Sequence, residues 1–249
     1  MKIIISPAKK MNTDHDGFTE SSKPYFIKEA NELFNYLKSL SIEELKKIWK
    51  CNDSIAAQNY DRLQIKSMEQ NTTPAIFSYD GIQYKYMSPD TMDEKSLNYI
   101  QDNLFILSGL YGAVKPFDAV TPYRLEMQSK FQNWDYLNLY KFWGSKIEEY
   151  IYSQTDTIIN AASSEYSKVI SPFVPEGKKL ITCLFCENIN GVLKEKGTLC
   201  KMARGAFVRF LAENNVETAE EIKKFNSMDY FYSDENSDEN TITFIKGEI

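Results

Sequence analysis

Histidine is the residue type that this sequence most clearly lacks, because its 249 residues contain only His15. Ser-His-Asp and Cys-His nucleophilic sites both need an imidazole. His15 lies in the polar stretch 13–17, which is a poor position for a catalytic base. One histidine also excludes an iron site built from two histidines and a carboxylate. We therefore expect neither class of site, and we predict no bound metal and no cofactor.

Cysteine is also scarce. A disulfide scaffold in a chain of this length would need more than the four cysteines Cys51, Cys183, Cys186 and Cys200. Cys183 and Cys186 form a C-x-x-C pair, but no second pair and no neighbouring histidine accompany it. The pattern favours buried, reduced thiols over a metal or redox centre.

Long hydrophobic runs are missing as well. No stretch approaches the roughly 18 apolar residues of a membrane span, and Met1-Lys2 leads directly into Ile3-Ile4-Ile5 without the apolar region of a signal peptide. We expect a cytoplasmic protein with no membrane partner. The 43% hydrophobic content can fill a large core, and no repeat or linker divides the chain. Residues 1–249 are therefore predicted to form one domain.

Arginine is rare, and negative charge is unevenly distributed. Only four of the 29 basic residues are arginines: Arg62, Arg124, Arg204 and Arg209. The net charge is −6, but residues 213–249 alone hold ten acidic and three basic residues. The remaining 212 residues are therefore nearly neutral and could carry a local basic cleft.

The order of apolar segments predicts an α/β fold of the mixed α+β kind, with a mixed central sheet covered by helices. Capping boxes predict helix starts at Ser41, Thr91 and Thr218. The first opens a helix pair that ends near Leu63, and a longer amphipathic helix is predicted over 137–152. Residues 225–240 are polar and read as a solvated turn region. Strands are predicted over 2–6, 75–79, 104–107, 157–160, 180–185 and 242–245.

Two segments that follow predicted strands carry groups suited to an anion. Ser6 and Lys9 come directly after the first strand, and loops at strand ends are where α/β proteins bind ligands. The second segment places Ser108, Gly109, Gly112 and Lys115 after another strand, and glycines three residues apart allow backbone N–H groups to approach a phosphate. Arg124 follows this segment. Its planar fork suits either a phosphate or a buried carboxylate such as Glu126.

Two further segments extend this set. Ser163 follows the predicted strand 157–160 and opens a short helix carrying Lys168, which could equally reflect ordinary helix capping. Lys201, Arg204 and Arg209 fall within an arc of about 140° if residues 201–210 are helical. Together these residues predict one shared anion-binding cleft. Arginines that pair locally with carboxylates are the structural alternative.

In its order of motifs the sequence resembles the YaaA peroxide-stress family over nearly the whole chain. The resemblance rests on Ile5-Ser6-Pro7-Ala8-Lys9, 107–112, 122–127, Tyr140-x-Phe142-Trp143-Gly144, Asn160-x-Ala162-Ser163-x-Glu165-Tyr166, and Lys201-x-Ala203-Arg204-Gly205 with Arg209-Phe210.

The resemblance implies a mixed α/β fold with a positively charged cleft and a helix-hairpin-helix element, DNA binding, and a role in limiting iron-driven damage under peroxide. The hairpin could be the helix pair at 42–63 or the turn at 109–112. The leading hypothesis is a protein that binds double-stranded DNA with little sequence preference through phosphate contacts. The alternative is an enzyme that acts on a small anionic or phosphorylated molecule in the same cleft, so whether the protein is an enzyme stays open.

Overall fold

A twisted sheet of eight strands forms the centre of the protein in a computed structural model, which describes residues 1–13, 17–131 and 134–247. Its strand order is β11-β12-β9-β8-β1-β5-β6, and β10 pairs with the end of β9. The remaining strands form two short pairs, β2 with β4 and β3 with β7. The strands are β1 Lys2–Ile5, β2 Lys10–Met11, β3 Thr73–Pro74, β4 Tyr79–Asp80, β5 Leu104–Ser108, β6 Gly112–Val114, β7 Ala119–Val120, β8 Thr157–Asn160, β9 Lys179–Ile189, β10 Val192–Lys194, β11 Tyr230–Tyr232 and β12 Thr241–Lys246.

Five neighbouring strands of the large sheet are parallel, and its two edges are antiparallel. β12, β9, β8, β1 and β5 run in the same direction, whereas β11 and β6 are hairpin partners of β12 and β5. Parallel strands need helical crossovers, which cover both faces of the sheet. β1 accordingly contains Ile3-Ile4-Ile5, and all three isoleucines are fully buried.

The helices surround this sheet, and the buried apolar side chains form a continuous core between the sheet and the helices. Short 3-10 turns cover Pro89–Thr91, Ser171–Phe173 and Ser227–Asp229. The α-helices are α1 Ile27–Lys38, α2 Ile42–Trp49, α3 Asp53–Leu63, α4 Ala75–Ser78, α5 Ile82–Met87, α6 Glu94–Asn103, α7 Leu139–Trp143, α8 Lys146–Tyr152, α9 Ser164–Ser167, α10 Gly197–Glu213 and α11 Ala219–Ile222.

The predicted fold class is confirmed, as are the capping boxes at Ser41 and Thr218, where both reciprocal hydrogen bonds form. The box predicted at Thr91 is wrong. Asp93 caps α6 by accepting a hydrogen bond from the Ser96 N–H, and Thr91 lies in the 3-10 turn before it. An aspartate two residues further on offered the same capping chemistry.

Three other predicted elements differ from the structure. The run 75–79 is not one strand: Ala75 and Ile76 donate to the carbonyls of Asp118 and Pro116 and open the one-turn helix α4, and only Tyr79 belongs to a strand, β4. A short apolar run fits a buried strand and a buried helical turn equally well. The predicted helix over 137–152 is broken at Gly144, whose φ is +51°, and the predicted turn region 225–240 contains β11.

Among the residues that the structure describes, no helix has the length and apolar character to cross a membrane. His15, the one histidine, falls outside the described residues.

Candidate functional site

The loops after β1 and β8 meet where the connections of the sheet diverge. From β1 the chain continues to β5 on one side, and from β8 it continues to β9 on the other. The Ser163 N–H donates to the Ser6 Oγ at 2.8 Å, and the Ser6 hydroxyl donates to the Ser163 Oγ at 3.1 Å. In open α/β sheets, ligands bind outside the carboxyl ends of strands at such a switch point.

A pocket of about 470 Å³ opens at this point, and we call it the strand-end pocket. Its volume lies within the roughly 300–1,000 Å³ typical of small-molecule sites. The lining comes from loops and helices that are distant in sequence but adjacent at the strand ends. The lining residues are Ser6, Pro7, Ala8, Lys9, Lys10, Asp80, Gly81, Ile82, Gln83, Tyr84, Tyr123, Arg124, Leu125, Glu126, Ser163, Glu165, Tyr166, Thr198, Lys201 and Arg204.

One side of the pocket, the Arg124 wall, consists of Lys9, Arg124 and Glu126. The Lys9 Nζ lies 2.8 Å from Glu126 Oε2, and the Arg124 Nη2 lies 3.4 Å from Glu126 Oε1. Glu126 is thus shared between two cations. The Nε of Arg124 is buried and has no hydrogen-bond partner, so a side chain of the pocket lining carries an unused donor.

A second side, the Arg204 wall, consists of Gln83, Lys201 and Arg204. Arg204 lies on α10, is only 6% exposed, and its Nη2 is 3.0 Å from Glu195 Oε1 and 3.3 Å from Oε2. The Arg204 Nε and the Gln83 Nε2 are both buried without a partner. Buried donors are almost always paired, because each unpaired donor costs about 1–3 kcal/mol. Three side chains of the lining, those of Arg124, Arg204 and Gln83, therefore each carry a buried donor without a partner.

Close helix packing brings Gln83 beside Arg204. Gly205 follows Arg204 on α10, and a Cβ at this position would lie 2.1 Å from the Gln83 carbonyl oxygen. Only a glycine lets the backbones of α5 and α10 approach to this distance. The sequence Arg204-Gly205 therefore places a guanidinium and a side-chain amide on the same wall.

Buried tyrosines line the pocket between these charged groups without adding charge. The Tyr123 hydroxyl is 2.6 Å from the Ser108 Oγ and 3.0 Å from the Tyr79 hydroxyl, and Tyr84 donates to the Ser6 carbonyl at 2.9 Å. Burial raises the pKa of Tyr123 to about 12 and that of Tyr84 well above its ordinary value. Both phenols stay neutral at physiological pH.

Glu165 is a carboxylate of a different character. Its Oε1 accepts a hydrogen bond of 3.3 Å from the Gln128 N–H. Burial raises the pKa of Glu165, and the nearby negative charge of Glu126 raises it further, while the Gln128 N–H and Lys9 oppose the shift. Two neighbouring carboxylates with different proton affinities are a common basis for proton transfer.

Five cationic and three acidic side chains line the pocket. Asp80 sits at the rim between Lys10 at 2.5 Å and Lys85 at 3.7 Å, and the Lys10 hydrogen bond holds the pKa of Asp80 below its usual range. The lining is therefore of mixed charge, and the basic cleft stays a prediction. Within the described ranges, no group of three or more potential metal-ligating side chains occurs.

Comparison with known proteins identifies the family. A family model described as peroxide stress protein YaaA matches residues 1–236. The chain belongs to the YaaA peroxide-stress family. A protein named UPF0246 from Lachnoclostridium phytofermentans is 48% identical over the whole chain and 97% of its own length. Another from Pediococcus pentosaceus is 45% identical over the whole chain and 99% of its length. The resemblance stated from the sequence motifs is thereby confirmed.

Half of the candidate site residues of this YaaA-family protein lie in the strand-end pocket and half lie elsewhere. The first group is Ser6, Lys9, Arg124, Ser163, Lys201 and Arg204. The second group is Ser108, Gly109, Gly112, Lys115, Lys168 and Arg209.

The Ser108–Gly112 turn packs beneath the pocket and does not open into it. Ser108 is completely buried, and its Oγ accepts the Tyr111 N–H at 2.9 Å. A Cβ on Gly109 would lie 2.4 Å from the Leu125 carbonyl oxygen, and one on Gly112 would lie 2.8 Å from the Trp143 ring. These glycines permit close packing, which the sequence could not distinguish from close approach to a phosphate.

The cations outside the pocket have other surroundings. Arg209 Nη1 donates to Thr91 Oγ1 at 2.8 Å and to the Ser88 carbonyl at 3.1 Å, which fastens α10 to the 3-10 turn before α6. Lys168 is exposed after α9, and Lys115 lies at the end of β6, where its charge lowers the pKa of Lys2 after the larger effect of burial.

The cysteines fit the expectation of buried thiols. Cys183, Cys186 and Cys200 are buried, and all four cysteines are free. Burial raises the pKa of Cys186 to about 11 and shifts the pKa of Cys183 in the same direction. Neutral thiols of this kind are poor nucleophiles.

Sequence reasoning missed Gln83 and Glu195. Gln83 carries no sequence signal, because its place in the site depends on the packing of α5 against α10. Glu195 lies nine residues before Arg204 and outside the helix, where no regular spacing connects the two.

Proposed function

We propose that this YaaA-family protein is an enzyme of the peroxide-stress response that binds and acts on a small anionic molecule in the strand-end pocket. One observation carries the proposal: three side chains that line a single pocket of small-molecule size each carry a buried N–H donor without a partner, namely Arg124 Nε, Arg204 Nε and Gln83 Nε2. Arginine donors of this kind suit carboxylate and phosphate groups.

The chemistry of the Arg124 wall supports proton transfer as the reaction step. Glu165 has a raised pKa and lies near Glu126, which pairs with Lys9 and Arg124. A carboxyl group whose pKa moves towards neutrality is suited to donate or accept a proton. Glu165 would then transfer the proton, and the arginines would hold the anionic part of the substrate.

Ligand binding by purified full-length protein tests the proposal. The probes are inorganic phosphate, small phosphorylated carboxylic acids and dicarboxylates, measured by thermal shift and calorimetry at constant ionic strength. Arg124→Lys should weaken binding nearly as much as Arg124→Ala, by about tenfold or more, since lysine keeps the charge but loses the Nε donor.

Lys168→Ala is the matched control, because Lys168 is an exposed cation outside the pocket lining. It should bind every probe as the wild type does. Full affinity in Arg124→Lys would show that charge alone matters. Absence of binding by the whole panel to folded wild-type protein would refute the proposal.

Binding of double-stranded DNA is the second candidate function, and the placement of charge favours it. Lys9, Lys10 and Lys201 are exposed residues of the pocket lining, while no residue beyond 212 contributes to that lining. The acidic C-terminal region instead forms α11, β11 and β12 at one edge of the sheet. Exposed lysines that are separated from this acid can contact phosphates. Helices α2 and α3 supply a candidate helix-hairpin-helix element.

A further inference from the structure

We infer that the strand-end pocket takes a ligand with two separate anionic groups, one held by the Arg124 wall and the other by the Arg204 wall. The inference rests on the proposed function and specifies its substrate class. A dicarboxylate and a phosphorylated carboxylic acid both have this chemistry.

The two walls are independent of each other. Arg124 belongs to the segment after β7 and pairs with Glu126, whereas Arg204 belongs to α10 and pairs with Glu195. Each arginine uses an Nη2 for its carboxylate and keeps a buried Nε without a partner. A single anionic group on one wall would leave the buried donor of the other wall unsatisfied, which is costly.

The net charge of each wall also supports a ligand with two anionic groups. Lys9 and Arg124 face the one carboxylate of Glu126, so the Arg124 wall has one excess positive charge. Arg204 pairs with the one carboxylate of Glu195, and the exposed Lys201 adds a second cation to the lining, which gives the Arg204 wall the same excess. Each wall can therefore neutralise one negative group.

Glu165 affects the net charge of the Arg124 wall, because its ionised form would cancel the excess positive charge there. Its Oε1 is held by the Gln128 N–H, and burial favours its protonated form. An anion beside Lys9 and Arg124 adds a further negative charge and so favours that form more strongly. Binding at this wall is thus coupled to protonation of Glu165.

The rest of the lining disfavours a third charged group of the ligand, because its remaining cation, Lys10, is paired with Asp80 at 2.5 Å. Ala8, Ile82 and Leu125 are apolar, and the phenols of Tyr84 and Tyr123 are already hydrogen-bonded to protein groups. The middle of the ligand must therefore be neutral. This combination distinguishes a two-ended anion from a polyanion such as a triphosphate.

Matched pairs of probes test the inference with the full-length protein. Glutarate is compared with butyrate, and 3-phosphoglycerate with glycerol 3-phosphate, by calorimetry at constant ionic strength. We expect each two-ended probe to bind at least about tenfold more tightly than its one-ended partner. The comparison of glutarate with 3-phosphoglycerate also distinguishes a carboxylate from a phosphate at the group that both members of a pair share.

Variants on each wall test which wall binds each anionic group of the two-ended probe. Arg124→Lys and Lys201→Ala should each bring the affinity for the two-ended probe close to that of the one-ended probe, and Lys201 is an exposed residue whose loss should not disturb folding. Arg204→Lys should act like Lys201→Ala. Equal affinity for both members of each pair, sensitive to Arg124 alone, would overturn the two-group inference and leave the proposed function standing. Failure of all four probes to bind the folded wild type would instead overturn the proposed function.

Discussion

Glu126 and Glu165 illustrate at the residue scale how neighbouring carboxylates acquire different roles. Glu126 pairs with both Lys9 and Arg124 and so positions both cations. Glu165 has a backbone N–H from Gln128 as its hydrogen-bond donor, and burial raises its pKa. Their environments, more than their residue type, separate a structural charge from a proton carrier.

Replacing Glu165 by glutamine should make the protein more stable at neutral pH. The folded-state pKa of Glu165 is raised, so its ionised form destabilises the fold increasingly as the pH rises through the interval between its ordinary and its folded pKa. Glu165→Gln removes this dependence and should raise the melting temperature by a few degrees above that interval, with little change below it.

Melting temperatures of the wild type and Glu165→Gln between pH 4 and pH 8 check this expectation, with Glu126→Gln as the contrasting variant. Glu126→Gln should destabilise the protein at neutral pH, since it leaves Lys9 and Arg124 without their shared carboxylate. Parallel pH profiles for wild type and Glu165→Gln would contradict the raised pKa.

The scarcity of arginine determined which individual site residues could be predicted from the sequence. Because only four of the 29 basic residues are arginines, the sequence predicts anion-binding roles for Arg124 and Arg204, and both line the pocket. The same reasoning also selected Arg209, which instead holds Met87, Ser88 and Thr91. Scarcity indicates that a bidentate donor is needed, but it cannot tell a ligand from a backbone carbonyl.

At the scale of elements, the contact between α5 and α10 determines the Arg204 wall, and Gly205 makes that contact possible. Gly205→Ala should destabilise the protein by about 1–3 kcal/mol, because the new methyl group would overlap the Gln83 carbonyl and push the helices apart. The same displacement should weaken ligand binding by moving Gln83 away from Arg204.

Gly197→Ala is the matched control on the same helix, since a Cβ at Gly197 meets no atom within 4 Å. It should be neutral or slightly stabilising, because alanine has the higher helix propensity. Chemical denaturation of both variants measures the difference. Equal free energies of unfolding for the two variants would disprove the close-contact argument.

Sequence patterns predicted elements well where local hydrogen bonding decides them. The boxes at Ser41 and Thr218 form as predicted, because both partners lie within four residues. The run 75–79 depended instead on the carbonyls of Pro116 and Asp118, 40 and 43 residues from their donors, which turn its first four residues into α4. Local patterns contain no information about such partners.

At the scale of the whole molecule, the strand order of the sheet brings the residues of the strand-end pocket together and places the acidic C-terminal strands at one edge of the sheet. Ser6 and Ser163 are 157 residues apart, yet they share a hydrogen bond because β1 and β8 are parallel neighbours. That neighbours of this kind gather their loops at one edge was predictable from the fold class. Which helix would cover that edge was not predictable, because it depends on the packing of α5 against α10.

Separation of the acidic C-terminal region from the pocket leads to a prediction about DNA. The protein should bind a 30-base-pair duplex at low salt with little dependence on sequence, and its affinity should fall steeply with salt because lysines release counterions from phosphates. Lys9→Ala and Lys201→Ala should each reduce the slope of log affinity against log salt by about 0.9, the contribution of one phosphate contact. Lys168→Ala, which removes an exposed cation outside the pocket lining, should leave the slope unchanged.

Fluorescence anisotropy with labelled duplexes of unrelated sequence measures the slope for all three variants. If folded protein fails to bind even at low salt, the duplex function is ruled out. If all three variants lose the same slope, binding is diffuse over the surface and the pocket mouth has no special part in it.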